Sequence, residues 1–284
     1  MLSSALAIDD RKIAYLEVGD AKTAVKTVVF VHGWMDNAAS FHVQLELIAQ
    51  QCPTWRAIAI DLSGHGHSSH KSPHHFYSFH DYIDDLHLIL CKLHATNVYL
   101  VGHSLGALIT SCYSAAFPEL ISGLVQIEGH FPLAEPASLC VKRIRDGVQS
   151  RKRWRAKPQR VLESKQQAVS LRASTNHLSE GLIEPIVQRG GYMQGERWHW
   201  HHDSKLKCDS VYRMTLEQSA AIIAAIEVPH IVILGEQGYP ELRSPRYLHA
   251  LSRATVEYVA GGHHCHLESP SRVFELISGL VNKI

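Results

Sequence analysis

Long hydrophobic runs are absent from this chain of 284 residues. No apolar stretch reaches the roughly twenty residues that a bilayer-spanning helix needs, so we expect no membrane span. The first ten residues also lack the basic start and apolar centre of a secretory signal peptide. Both absences favour a protein that stays inside the cell and outside the bilayer.

An excess of charge is also absent. The formal net charge is +1, from 28 basic and 27 acidic residues, which gives no overall attraction for nucleic acid or for a membrane. The six cysteines are scattered and include no C-x-x-C pair, a pattern that indicates reduced thiols in a chain of this length. We therefore expect a cytoplasmic protein without a nucleic-acid partner, and the oligomeric state stays open.

Histidine, in contrast, is abundant, with 21 residues. Two clusters stand out: His199, His201 and His202, and then His263, His264 and His266. Neither cluster forms a helical H-E-x-x-H pattern, and no cysteine pair supports a zinc site. We expect solvated loop histidines and one catalytic histidine, with no metal and no cofactor.

Short β-rich apolar runs alternate with helical patterns along most of the chain. The runs are Val28–Val31, Ala57–Ile60, Val98–Val101, Leu124–Ile127, Ile231–Leu234 and Thr255–Val259, preceded by an antiparallel start over Arg11–Val18. Between them, apolar residues recur at helical spacing, for example from Phe79 to Leu93. This order predicts an α/β fold, with a mostly parallel sheet of about eight strands and helices on both faces.

One region interrupts the alternation. From Phe131 to Ser210 we find no convincing strand, and the stretch is basic early and aromatic late. We predict a helical cap over residues 130–210, inserted between core segments 1–129 and 211–284. The basic run is typical of a solvated helix face, and Trp198 and Trp200 either line a pocket or serve as packing.

A G-x-S-x-G motif lies between a strand and a helix. Gly102-His103-Ser104-Leu105-Gly106 follows the run Val98–Val101 and precedes the helical stretch Leu105 to Phe117. In that context the serine is lifted clear of the sheet on a sharp turn that only glycine neighbours tolerate. Ser104, at the tip of this turn between strand and helix (the elbow), is therefore the candidate nucleophile.

The chain turns sharply at His32-Gly33-Trp34, directly after the first predicted core strand. A glycine there allows the Trp34 N–H to face the nucleophile. Together with the Leu105 N–H it makes a candidate oxyanion hole. We expect Asp36 and Asn37 to hold this loop through side-chain to backbone hydrogen bonds. The glycine-rich loop Asp61 to Ser68 is given a structural role.

The candidate general base follows the last strand, in Gly261-Gly262-His263-His264-Cys265-His266. A flexible glycine pair would deliver a histidine to the carboxyl edge of the sheet, where ligands bind in such folds. A neutral imidazole can take the serine proton and later return it. His263 is the first choice because it directly follows Gly262, His266 is the second and His264 the third.

Taken together, these motifs resemble the α/β-hydrolase superfamily over nearly the whole core. The segments His32 to Asn37, Asn176 to Glu180 and the end with His263 and His266 resemble its serine hydrolase-like subgroup. The resemblance implies a triad in the chain order serine, acid, histidine.

The acid departs from the usual family pattern. Most members carry an aspartate in a G-x-x-D turn after the penultimate strand, and here that turn reads Gly235-Glu236-Gln237-Gly238. Some members instead place the acid after the strand that follows the elbow helix, and that position is Glu128. We therefore predict Glu128 as the acid, and the alternatives are Glu236, Glu241 or no acid at all.

The resemblance implies a serine hydrolase that cleaves a small carboxylic ester, a thioester or a lactone through an acyl-enzyme. Two alternatives stay open on the same fold. One is a small-molecule receptor or weakly catalytic interaction protein, and the other is a carbon–carbon bond hydrolase. The natural substrate and the cap residues that line the pocket do not follow from the sequence.

Overall fold

The structure is a computed structural model that describes residues 1–249, 251 and 253–283. The strands are β1 (Leu2–Ile8), β2 (Arg11–Val18), β3 (Lys26–Val31), β4 (Trp55–Ile60), β5 (Val98–His103), β6 (Gly123–Ile127), β7 (Gly191–Gln194), β8 (Arg197–Trp200), β9 (His230–Gly235) and β10 (Thr255–Val259). The helices are α1 (His42–Gln51), α2 (Phe79–Leu93), α3 (Leu105–Ala116), α4 (Cys140–Ala156), α5 (Lys165–Asn176), α6 (Glu180–Arg189), α7 (Leu216–Ala224), α8 (Pro245–His249), α9 (Cys265–Glu268) and α10 (Pro270–Lys283). Short 3-10 helices cover Ala38–Phe41, Pro118–Leu120, Ala137–Leu139, Ser204–Lys207 and Pro240–Arg243. Within this described part of the chain, no helix combines the length and the apolar character that a bilayer crossing requires.

Eight strands form the main sheet, in the order β1-β2-β4-β3-β5-β6-β9-β10. Strand β2 is antiparallel to both of its neighbours, and the other six strands, β4, β3, β5, β6, β9 and β10, run parallel to one another. Successive residues of a strand face opposite sides, so Val28 packs toward α1 and α10 while Val29 packs toward α2 and α3. This architecture confirms the predicted mostly parallel sheet covered on both faces.

The first strand is missing from the sequence prediction, which began the sheet at Arg11–Val18. Strand β1 pairs along its whole length with β2, from Leu2 opposite Glu17 to Ile8 opposite Arg11. Most of its side chains are exposed because it lies at the edge of the sheet. An edge strand of this kind carries no alternating apolar pattern, and for that reason the sequence does not reveal it.

The prediction that no strand lies between Phe131 and Ser210 is wrong. The antiparallel hairpin of β7 and β8 lies there, and its turn includes Gly195 at a φ of 59°. Trp198 of this hairpin is 3% exposed and packs with Ala168, Ile183 and Val187 of the surrounding helices. Trp198 therefore serves as packing. The hairpin does not follow from the sequence because strands of four residues are too short to show a periodic pattern. The segment bounds 1–129, 130–210 and 211–284 stay a prediction.

Strand register brings several loop starts to one edge of the sheet. Val31 lies opposite Gly102, His103 opposite Ile127, and Ile127 opposite Ile233. The strands β3, β5, β6 and β9 therefore end side by side, and the chain leaves each of them at the same carboxyl edge. Ligands bind at this edge in open α/β sheets.

A buried ion pair joins α6 to the core beside that edge. Arg189 Nε lies 3.0 Å from both carboxylate oxygens of Asp61, which is 0% exposed. Asp61 also accepts hydrogen bonds from the backbone N–H groups of Ala38 and His67. The carboxylate thus ties three segments together, in agreement with the structural role predicted for the loop from Asp61 to Ser68.

We predict that Arg189→Ala lowers the free energy of unfolding by about 3–5 kcal/mol, because it leaves the Asp61 carboxylate buried without its cation. Urea unfolding monitored by circular dichroism measures the change. Arg197→Ala is the control, since that arginine is exposed and should shift stability by no more than about 0.5 kcal/mol. Equal effects of the two substitutions would show that the ion pair contributes nothing specific.

Candidate active site

Ser104 lies on a strained turn between β5 and α3. Its backbone has φ 49° and ψ −116°, a conformation that a serine adopts only under constraint. A Cβ atom on Gly106 would lie 1.9 Å from the Val31 carbonyl oxygen, and one on Gly102 would lie 2.5 Å from the Ala107 nitrogen. Both glycines are therefore required by close backbone packing, and the turn presents Ser104 at the sheet edge.

Ser104 and His263 line the same cavity. It has a volume of about 840 Å³, and its walls also include Trp34, Tyr239 and the α5 residues Arg172 and Asn176. Among the hydrogen bonds of the described residues, none joins Ser104 to His263. Catalytic hydrogen bonds often tighten only once substrate is bound, so the shared cavity is the relevant observation.

Glu128 contacts the ring of His263. The distance between Glu128 Oε2 and His263 Nδ1 is 3.2 Å, and the carboxylate side chain is 1% exposed. The same carboxylate accepts hydrogen bonds from the N–H groups of Gly235, at 2.8 Å, and Tyr239, at 3.1 Å. Held by the amide of Gly235 at the end of β9 and by the loop amide of Tyr239, Glu128 points at one nitrogen of the imidazole, and no described residue forms a hydrogen bond with the other.

The glycine at position 238 makes room for this carboxylate. A Cβ atom on Gly238 would lie 2.1 Å from Glu128 Oε1. An aspartate at the usual family position and a glutamate at position 128 would therefore occupy the same space. The alternatives Glu236 and Glu241 are both exposed, and the structure brings neither to His263.

His263 is also the histidine best placed among the three candidates. Its side chain is 19% exposed in the cavity wall, whereas His266 is 1% exposed and lies under the loop. Burial lowers the pKa of His266 to about 3, so this ring stays neutral and out of reach of a substrate. His264 faces Asp36 at 3.2 Å instead of Ser104.

The candidate oxyanion donors are the N–H groups of Trp34 and Leu105. Leu105 is the first residue of α3, and the first N–H groups of a helix have no intrahelical acceptor. Trp34 occupies the second position of a turn closed by the Asp36 N–H and the Gly33 carbonyl, with Met35 at φ 66°. Such a turn leaves its central N–H groups free, and Trp34 lines the cavity.

A buried network surrounds Asp36, and the sequence does not reveal it. Asn37 does hold its loop, since its side chain accepts from the Ala39 N–H at 3.0 Å. Asp36, however, bonds to Arg172 at 2.6 Å and to His264 at 3.2 Å. Burial alone would raise the pKa of Asp36, but its contacts with His264 and Arg172 hold it well below its usual value. No local pattern links residues that are so far apart in the chain.

His103, the second residue of the elbow motif, was also missed. Its Nε2 lies 2.8 Å from the carbonyl oxygen of His263. This contact fixes the backbone of the loop from Gly261 to His266, which we call the histidine loop. Burial lowers the pKa of His103 well below its usual value. A neutral ring with its proton on Nε2 satisfies this contact, because a carbonyl oxygen accepts only.

Comparison with known proteins identifies the family of this chain. A model of the α/β hydrolase fold family matches residues 26–270, and the chain belongs to this family.

The serine hydrolase-like protein of Danio rerio is 24% identical over 265 residues, which cover 89% of this chain and 80% of that protein. A hypothetical protein of Pseudomonas aeruginosa PAO1 superposes with a TM-score of 0.88 at 27% identity, covering 98% of this chain and 99% of the other. A thioesterase domain from the curacin biosynthetic pathway superposes with a TM-score of 0.82 at 22% identity, covering 98% of both chains. The superfamily and subgroup expected from the motifs are thereby confirmed.

We predict that Gly238→Ala lowers the free energy of unfolding by about 1–3 kcal/mol, the usual effect of overpacking a filled site. The added methyl group would overlap the Glu128 carboxylate. Gly181→Ala is the matched control, because no atom of the described residues outside its own stretch of helix would lie within 4 Å of the added Cβ. The control should stabilise the protein by about 0.4–1 kcal/mol. If urea unfolding gives the same change for both variants, position 238 is not filled by Glu128.

Proposed function

We propose that this α/β hydrolase cleaves carboxylic esters through an acyl-enzyme on Ser104, with His263 as the general base and Glu128 as its carboxylate partner. The observation that carries the proposal is the contact between Glu128 and His263 in the wall of the cavity that also contains Ser104. A nucleophile, a base and a carboxylate that orients the base are the parts that acyl transfer requires.

In the first half-reaction, His263 Nε2 takes the proton of the Ser104 hydroxyl while the serine oxygen attacks the ester carbonyl carbon. The carbonyl oxygen becomes an oxyanion, which the N–H groups of Trp34 and Leu105 stabilise. When the tetrahedral intermediate collapses, the imidazolium of His263 donates its proton to the departing alcohol. The acyl group is then bound to Ser104 as an ester.

In the second half-reaction, His263 takes a proton from water, and the resulting hydroxide attacks the acyl carbon. The bond to Ser104 breaks, the serine recovers the proton from His263, and the free acid leaves. Glu128 stays ionised throughout. It holds the Nδ1–H of His263, which fixes the ring orientation and stabilises the imidazolium formed during each attack.

Two cavities meet at Ser104. Ser104 and Trp34 line both the cavity described above and a second one of about 410 Å³, whose walls combine Leu105 and Leu108 with charged side chains such as Arg213. We therefore favour an ester whose acyl and alcohol groups occupy one cavity each. A thioester is the second substrate class, supported by the likeness to the thioesterase domain.

We also propose a reducing, cytoplasmic location. All six cysteines are free, and Cys112 and Cys265 are buried in the core. A chain that works in an oxidising compartment normally pairs its cysteines.

A fluorophosphonate probe tests the nucleophile. We predict that it labels the wild-type protein at Ser104 and leaves Ser104→Ala unlabelled, because only an activated serine reacts with the probe. Intact-protein mass spectrometry reads the adduct directly. Labelling that persists in Ser104→Ala would exclude Ser104 as the nucleophile.

Glu128→Gln tests the acid. We predict a folded protein whose kcat for a short p-nitrophenyl ester falls by up to about 10⁴-fold, as for the aspartate of a serine protease triad. Glu236→Gln and Glu241→Gln are the controls, and their kcat should stay within roughly tenfold of wild type. Both side chains are exposed and do not contact His263, and surface substitutions of this kind seldom destabilise a protein. Normal turnover in Glu128→Gln together with loss in Glu236→Gln would move the acid to the usual loop.

A further inference from the structure

Asp36, His103 and His264 form a cluster in the wall of the cavity that the proposed proton transfers do not use. We call these three residues the Asp–His–His cluster. All three are buried, and each offers one ligating atom within 4.8 Å of the other two. Asp36 Oδ2 lies 3.2 Å from His264 Nε2 and 3.8 Å from His103 Nδ1.

The contact between Asp36 and His103 lacks a proton. His103 Nε2 donates to the His263 carbonyl oxygen, so the neutral ring keeps a lone pair on Nδ1. That nitrogen is buried, with the side chain 1% exposed, and none of the described residues forms a hydrogen bond with it. A lone pair and a carboxylate oxygen thus face each other, and a cation between them would satisfy both atoms.

The geometry suits a small divalent transition metal. Zinc binds histidine nitrogen at about 2.0–2.1 Å and carboxylate oxygen at about 2.0–2.2 Å, which places tetrahedral ligand atoms about 3.4 Å apart. The distances of 3.2 and 3.8 Å from Asp36 Oδ2 lie on either side of this value. Two imidazoles and one carboxylate are borderline ligands, preferred by Zn²⁺ or Co²⁺ over Mg²⁺ or Ca²⁺.

We propose that the Asp–His–His cluster binds one Zn²⁺-like ion, with its fourth position open to the cavity. The ligand residues flank the proposed catalytic pair, since His103 precedes Ser104 and His264 follows His263. An ion held there shares the cavity with the substrate, and its occupation inhibits ester hydrolysis. This second part rests on the proposed function, whereas the binding itself does not.

Two neighbours limit the affinity. Arg172 bonds to Asp36 Oδ1 at 2.6 Å, which leaves Oδ2 for the ion but adds a repelling charge. Metal binding at His264 Nε2 also displaces the hydrogen bond to Asp36, so the ring proton then sits on Nδ1, and the Asn176 Nδ2, 3.1 Å from Nε2, has to move. We therefore expect weaker and more readily reversible binding than in structural zinc sites.

The test uses the full-length protein after treatment with a chelator. Zn²⁺ alone is titrated by calorimetry, and Co²⁺ alone by visible absorption, which is strong for tetrahedral coordination. We expect one saturable site in wild type and its loss in His103→Gln/His264→Gln. The matched control is His67→Gln/His201→Gln, which removes two imidazoles whose rings lie 5.0 Å apart outside this cavity and should bind as wild type does. Thermal unfolding verifies that each variant is folded.

The single variant His264→Gln keeps the proposal testable if the double variant does not fold, and it should weaken Zn²⁺ binding on the order of 100-fold. Wild type without saturable binding, or equal binding in both double variants, would overturn the site. Ester hydrolysis should fall on addition of Zn²⁺ and recover with chelator, and unchanged turnover at saturation would overturn the inhibition. If wild type hydrolyses no ester, the proposed function fails while the Co²⁺ titration still decides the site.

Discussion

The site depends on one buried carboxylate held between the ends of two neighbouring strands. Glu128 directly follows β6 and accepts a hydrogen bond from the N–H of Gly235 at the end of β9, so the register of the sheet positions its oxygens. Burying a charge is costly unless it is paired and hydrogen-bonded. Two backbone amides and the ring of His263 meet that requirement together. Gly238 completes it, because any side chain at that position would take the space of the carboxylate.

Helices α5 and α6 are held to the sheet by ion pairs as well as by packing. Arg189 at the end of α6 pairs with Asp61, which directly follows β4, and Arg172 of α5 pairs with Asp36 in the loop after β3. Leu267 of α9 packs in the same apolar cluster as residues of α5, α6 and β8. Movement of these helices would therefore disturb Asp36, His264 and the loop that carries His263.

The elements with strong local patterns were predictable from the sequence. The six apolar runs became strands, and the elbow, the histidine loop and Glu128 could be placed because strand ends share one edge of the sheet. Strand β1 and the hairpin of β7 and β8 were missed, since an exposed edge strand and a strand of four residues carry no periodicity. The partners of Asp36 were missed for another reason: Arg172 and His264 lie 136 and 228 positions away in the chain. Only the folded structure brings them together.

A crystal structure of the protein with a phosphonate bound covalently to Ser104 tests the account most directly, because the adduct resembles the tetrahedral intermediate of acyl transfer. We expect Glu128 within hydrogen-bond distance of His263 Nδ1, His263 Nε2 facing the adduct, and a phosphonyl oxygen that accepts from the N–H groups of Trp34 and Leu105. A structure in which Glu236, or no carboxylate at all, contacts His263 would exclude the proposed triad.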